Sequence, residues 1–250
     1  MEQQTNPESP VAVAGLRKSF GEQTVLAGIT FQLEPGKVTC VLGRSGTGKS
    51  VLLKLLIGLE KPDAGSIRLV GQDIASASTQ ELNEARKKVG FLFQQAALYD
   101  SMTIEENVAF PLRRHTRLSS DERGARVHEL LASVGMDRDL DKMPADLSGG
   151  MRKRVGLARA LALDPVVVMF DEPTAGLDSI TAAEISDLIV ELREKRHITS
   201  IVVTHNLRTA KTVADRLIVL DHGKTLFDGT FDGFHRCESP LIAEFVKDAA

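Results

Sequence analysis

Apolar and polar residues alternate between two periods along the chain, and the change of period divides it. Residues 11–20 and 25–33 are rich in β-branched or alternating apolar residues, and Gly21-Glu22 between them reads as a hairpin break. Pro35-Gly36 turns the chain into the apolar run 38–42. A glycine-rich loop follows, then a helix at 50–58 closed by Gly58, then a strand at 66–70. The middle is more polar. Ser78/Glu81, Thr103/Glu106 and Ser119/Glu122 each place Ser or Thr three residues before Glu, the pattern of a reciprocal helix cap. Together they predict a helical insert over about 101–144. A helix at 151–163, a strand at 166–170, a helix at 181–195 and a strand at 200–204 follow. The unbroken apolar runs at 166–170 and 201–203 suit strands covered on both faces. Residues 217–220 and 225–228 flank His222-Gly223 as a closing hairpin. The expected class is α/β, with no internal repeat.

Two segments bear chemistry. Gly43-Arg44-Ser45-Gly46-Thr47-Gly48-Lys49-Ser50 fits G-x-x-x-x-G-K-S, between a predicted strand and a predicted helix. Glycine removes the Cβ obstruction, so backbone N–H groups can converge on phosphate oxygens at the positive end of the helix. Lys49 is placed for the β- and γ-phosphates and the Ser50 hydroxyl for Mg²⁺. Asp171-Glu172 closes the apolar run 166–170, where ligands of open parallel sheets bind. Asp171 can hold Mg²⁺, directly or through water, and Glu172 can act as base toward the attacking water. His205 ends the next strand and is expected at the same rim, as a hydrogen-bond donor to the γ-phosphate.

The second segment, Leu147-Ser148-Gly149-Gly150-Met151, opens a helix whose first turns carry Arg152, Lys153 and Arg154. Cations there oppose the helix dipole by about 0.3–1 kcal/mol each at exposed sites. Two readings stay open: an anion docks at the helix start, or an ordinary serine cap carries solvated basic residues. The chain has no second phosphate loop to face this helix start, which points to two copies sharing the nucleotide.

Composition narrows the setting. The 250 residues are 42% hydrophobic and 26% charged, enough for a sizeable core. A net charge of −3 gives no footprint for nucleic acid. Two distant cysteines, Cys40 inside an apolar run, point to no disulfide scaffold and a reducing compartment. Residues 1–10 read as a loose polar tail. No apolar stretch approaches the ~20 residues that span a bilayer, so work at a membrane needs another chain for the spanning part.

The set of motifs in this order resembles the ATPase subunits of ABC transporters: the phosphate loop, Gln94 after Phe91-Leu92-Phe93, Leu147-Ser148-Gly149-Gly150, Asp171-Glu172, Asp178 and His205. The resemblance covers nearly the whole chain. It implies a P-loop NTPase fold with a mostly parallel central sheet, an antiparallel β subdomain and an α-helical subdomain at about 101–163. The cassette would occupy 11–230, followed by a tail at 231–250 that could hold a partner copy or accessory protein. It implies ATP and Mg²⁺, and a head-to-tail dimer in which Ser148, Gly149 and Gly150 of one copy face the ATP on the other's phosphate loop. Phe20 would stack on adenine, Gln94 would contact Mg²⁺ or the water and sense the membrane partner, and Asp178 would lie across the dimer seam.

A finer resemblance is to the Mla/Mce-type lipid-transport ATPases. It rests on residues 106–113, on residues 147–162 with Met151 where most of the larger family has glutamine, and on Ser50-Val51-Leu52-Leu53. It implies an inner-membrane permease, a phospholipid or related cargo, a lipid-binding protein, a small accessory protein, and a peripheral place on the cytoplasmic face. Residues 94–99 with the helical insert would dock the permease; for Ala96, Ala97 and Leu98, plain core packing is the alternative. Competing readings are a transporter of amino acids, ions or drugs, a soluble nucleic-acid-associated ABC protein, and a P-loop kinase, which would leave Ser148 to Gly150 and His205 idle.

Overall fold

The computed structural model describes residues 9–237 and 239–248. Its first sheet is antiparallel. Strands β1 (Val11–Phe20) and β2 (Gln23–Gln32) form the expected hairpin, and β4 (Ala64–Leu69) with the short β5 (Gln72–Asp73) complete the order β2-β1-β4-β5. The second sheet has six strands. They are β3 (Val38–Leu42), β6 (Val89–Leu92), β7 (Val167–Asp171), β8 (Thr199–Thr204), β9 (Arg216–Asp221) and β10 (Lys224–Gly229), ordered β10-β9-β3-β8-β7-β6. All its pairs are parallel except β9-β10, a hairpin whose turn residues His222 and Gly223 both take positive φ (43° and 72°).

The continuous apolar strands follow from this architecture. Cys40, Leu42, Val168, Phe170, Val202 and Val219 enter one core, while Val41, Met169, Ile201, Val203 and Ile218 enter another. The second core is closed by the antiparallel sheet and α1 (Lys49–Leu56). The first is closed by α3 (Ile104–His115), α4 (Ser120–Ser133), α5 (Gly149–Ala160), α6 (Ser179–Arg196) and α7 (Leu207–Val213). With both faces covered, neither can be polar. Cys40 is fully buried, and burial pushes its thiol far above the ordinary range.

Several sequence expectations shift. The strand expected at 166–170 starts one residue later; Val166 is exposed and Asp171 is its last residue. Strand β6, only four residues long, and α7, seven, carry patterns too brief for periodicity to show. Ser78 caps α2 (Thr79–Lys87), which lies between β5 and β6 rather than in the insert. The tail expected at 231–250 contains α8 (Phe231–His235) and α9 (Pro240–Asp248), and Phe234, Ile242 and Phe245 join the main core. Of the tail expected at 1–10, residues 1–8 lie outside the described residues. Ser9 is buried, and its hydroxyl donates to the carbonyls of Val11 and Leu33 at 2.7 Å each.

All three reciprocal caps are formed. The Glu81 carboxylate is held below its ordinary value of 4.5 by the Ser78 amide and then its hydroxyl, and Glu122 by the Ser119 hydroxyl and then its amide. A depressed carboxyl stabilises the fold above its unfolded value and loses that contribution as pH falls through its folded value. The melting temperature of the parent should therefore exceed that of a Glu81→Ala/Glu122→Ala variant at neutral pH, and the gap should shrink once pH drops below about 4.5.

One buried polar residue organises a loop of the insert. Asn107 on α3 is fully buried; its Nδ2 donates to the carbonyls of Tyr99 (3.1 Å), Met102 (3.1 Å) and Thr103 (3.0 Å), and its Oδ1 accepts from Tyr99 N–H (2.8 Å). It pins the loop between β6 and α3. Asn107→Leu keeps the volume and orphans those groups, so urea unfolding should show a loss of about 2–3 kcal/mol.

Candidate functional site

Parallel pairing brings the chemistry to one edge. Leu42 pairs with Thr204 and Asp171 with Val203, so the residues that follow β3, β7 and β8 emerge together: Gly43, Glu172 and His205. Three observations fit the loop 43–50 to phosphate. Gly46 and Gly48 take φ of 82° and 94°, and a Cβ on Gly48 would stand 2.8 Å from a Val25 methyl. Side chains cap α2 through α8, yet none caps α1, which leaves its first amides free of a side-chain acceptor at the loop. Lys49, 6% exposed, donates to the carbonyls of Gly43 (2.8 Å) and Arg44 (3.0 Å) and stands 3.5 Å from Glu172 Oε1. Thr47 braces the loop by donating to the Arg44 carbonyl at 2.9 Å, and Ser45 lines the adjoining cleft.

Ser50 donates its hydroxyl to Asp171 Oδ1 at 2.8 Å. Burial pushes the Asp171 carboxyl up; the Ser50 hydrogen bond opposes that rise, Glu172 adds to it, and Lys153 and Lys49 counter it. A hydroxyl and a carboxylate in contact, beside a phosphate cradle, are a hard oxygen pair that suits Mg²⁺. Bound between them, the ion would neutralise charge on phosphate oxygens.

Glu172 is buried and turns the chain with φ 46°, a left-handed conformation that a non-glycine residue adopts only when its surroundings impose it. Its N–H donates to the Val203 carbonyl (2.9 Å), and its carbonyl accepts from Lys153 Nζ (3.1 Å). Its Oε2 accepts from His205 N–H (3.3 Å) and lies 3.0 Å from His205 Nδ1. With Glu172 ionised, this contact calls for the proton on His205 Nδ1.

The structure thus joins Ser50 to Asp171, and Lys49 and His205 to the adjacent Glu172, by direct polar contacts. Phe20 sits 47% exposed at the end of β1, with Lys18 Nζ 5.1 Å from its ring centre. Gln94 follows β6 by two residues, exposed, with its carbonyl held by Lys153. Of its neighbours, Ala96 is core, Leu98 packs on the core, and Tyr99 is exposed against Phe110. Asp178 is the cap of α6, accepting from Ile180 and Thr181.

Ser148 stands apart from the loop; among the described residues no hydrogen bond joins residues 148–150 to residues 43–50. Ser148 caps α5 by accepting from Met151 N–H (3.2 Å). A Cβ on Gly150 would fall 2.3 Å from the Thr181 methyl and one on Gly149 3.1 Å from a Leu177 methyl, so these glycines let the start of α6 pack close. The basic run is not uniformly solvated. Arg152 donates to the Pro144 carbonyl, Arg154 to the Val134 carbonyl and to Glu184, and Lys153 is 4% exposed. Burial lowers Lys153 to about 8, with Asp171 and Glu172 pulling the other way. Sequence reading missed Lys153 because its neighbours are charged. The available signal was its spacing, three residues after Gly150 and four before Leu157, on the buried stripe of α5.

A cleft of about 670 Å³ lies between Arg44 and Ser45 of the loop, Leu177 and Ser179 at the start of α6, and His205 to Thr209. Phe245 of α9 lines its edge and Glu244 pairs with Arg44, an exposed contact worth at most about 1 kcal/mol.

Comparison with known proteins places this arrangement. The ABC transporter family model matches residues 26–175. The ribonucleotide transport ATP-binding protein Mkl of Mycobacterium tuberculosis, so named as probable, is 43% identical over 237 residues, 95% of this chain and 66% of that protein. The chain therefore spans just under two thirds of that relative. The intermembrane phospholipid transport ATP-binding protein MlaF of Haemophilus influenzae is 38% identical over 95% of this chain and 90% of its own. Similarity does not stop at these cargoes: the methionine import protein MetN of Rhizobium johnstonii is 39% identical over 89% of the chain. The ATP-binding cassette MJ0796, solved as a dimer with ADP and Pi, superposes with a TM-score of 0.81 at 33% identity, covering 88% of this chain and 98% of that one. A phosphate loop, an acidic strand end and a separate serine–glycine helix start, within a family match covering more than half its length, show that this chain belongs to the ABC transporter family of ATP-binding cassettes.

Proposed function

We propose that the chain is the ATP-hydrolysing subunit of an inner-membrane transporter moving phospholipid or a related hydrophobic molecule. Two copies clasp ATP head to tail, each presenting Ser148 to Gly150 to the nucleotide on the other's phosphate loop. The observation that carries this is the separation within one chain. Ser50 meets Asp171, and Lys49 and His205 meet the adjacent Glu172, while among the described residues no hydrogen bond joins residues 148–150 to residues 43–50. The MJ0796 cassette, solved as a dimer, supports the pairing.

In this reading Phe20 stacks on adenine, and Lys49 leaves the carbonyls of Gly43 and Arg44 for phosphate oxygens. Ser50, Asp171 and Gln94 hold Mg²⁺. Glu172, fixed from both oxygens by Lys49 and His205, takes the proton of the attacking water. Asp178 lies at the seam between copies. Residues 11–230 form the cassette, with 101–163 as its helical subdomain, and Tyr99 and Leu98 with α3 meet the permease. No helix among the described residues is long and apolar enough to cross a membrane, which agrees with a peripheral subunit on the cytoplasmic face. No nucleic-acid partner is part of this reading; a small accessory protein and a lipid-binding protein are.

The lipid cargo rests on likeness to MlaF. The methionine importer supports a second reading, in which the cassette serves a solute importer. Purification of the complex from its native membrane in mild detergent separates them. Co-elution of a permease with a lipid-binding protein and phospholipid is the expected result; a permease with a soluble solute-binding protein would replace the cargo assignment.

A further inference from the structure

Lys153 is the one cation of the basic run that turns inward, and it meets no carboxylate at hydrogen-bond distance among the described residues. Its ammonium donates to two backbone carbonyls on different loops, those of Gln94 and Glu172. Burying a charge on carbonyls alone is a costly way to hold a core, and an apolar side chain of the same length would hold α5 against the sheet as well. Both peptides that it grips need holding. Glu172 is left-handed, and so are Ala96 and Ala97, two and three residues past Gln94 (φ 59° and 49°). Arg159, two turns along the same helix, donates to the Ala96 (2.8 Å) and Ala97 (2.9 Å) carbonyls. The helix that starts at Ser148 is therefore hard-linked to both loops.

We propose that Lys153 is a positioning residue for hydrolysis. Its ammonium fixes the Glu172 peptide and the Gln94 loop to α5, so that the carboxylate of one site moves with the helix start that faces the other. This rests on the ATPase reading above and on the role given there to Glu172. Without the tether, the left-handed Glu172 peptide can relax and swing its carboxylate from the water's path, while Lys49, Ser50 and the loop amides that bind nucleotide keep their own contacts.

The test is Lys153→Met, with four measurements: melting temperature, affinity for a fluorescent ATP analogue, the kcat and KM of ATP hydrolysis, and retention of radiolabelled nucleotide after vanadate trapping. The expected result is a kcat at least tenfold lower and vanadate-trapped nucleotide reduced by a similar factor, with KM and analogue affinity within threefold of the parent. If the methionine variant does not fold, Lys153→Arg carries the same test; it keeps charge and donors but changes their reach, and should lose at least threefold in kcat at unchanged KM. Parent-level turnover and trapping in the folded variant would overturn the proposal. So would losses of turnover, affinity and melting temperature in proportion, since these mark a role in holding the fold alone. A parent chain that binds ATP without hydrolysing it would remove the functional reading itself, and the positioning role with it.

Discussion

Glu172→Gln is expected to abolish turnover while leaving nucleotide binding intact. The glutamine keeps the size of the side chain and loses the basicity that would take a proton from water, a loss of about 10²–10⁴-fold in kcat for a removed general base. The left-handed backbone at Glu172 is set by the main-chain bonds to Val203 and Lys153, which the substitution does not touch. The carbonyl oxygen of the amide can still accept from His205, so the rim keeps its shape. With ATP bound and not consumed, the clasped pair has no route to opening, and gel filtration in ATP and Mg²⁺ should show a stable dimer that the parent forms only transiently. Parent-rate hydrolysis by this variant would show that another group activates the water.

Lys49→Ala is expected to strike binding instead. Lys49 is the charge nearest the loop carbonyls of Gly43 and Arg44, and in the nucleotide complex it would trade them for phosphate oxygens. A hydrogen bond to a charged group contributes about 1.5–3 kcal/mol. That range corresponds to nucleotide affinity lower by about 10- to 150-fold. Calorimetric titration with a slowly hydrolysed ATP analogue measures it directly, and the rise in melting temperature on adding the analogue should shrink in step. Unaltered affinity would show that the amides of the loop and the uncapped start of α1 suffice to bind the phosphates. The two substitutions thus separate binding from turnover.

The family assignment and the motifs of the candidate site were legible in the sequence because they depend on short, local patterns. A glycine loop between a strand and a helix, two acids after an apolar strand and a serine–diglycine helix start each state their backbone requirement within a few residues. The caps at Ser78, Thr103 and Ser119 were legible for the same reason, since each is closed by a residue three positions on. Strand β6 and α7 were not, being too short for a period to emerge, and the helices of 231–248 show their apolar residues only against a core built by distant strands.

By itself, then, the sequence determined the family and which residues are proposed for the phosphate chemistry, and that the strands bearing them are covered on both faces, because local spacing and apolar run length fix both. Tertiary structure alone decided the rest. The parallel register of β3, β8 and β7 set Lys49, Glu172 and His205 within reach of one another, and the packing of α5 turned Lys153 inward while its arginine neighbours turned out to other partners. Three adjacent cations look alike in one dimension; only the partners that each one meets, the loop carbonyls of Gln94 and Glu172 for Lys153 and other groups for the arginines, tell them apart.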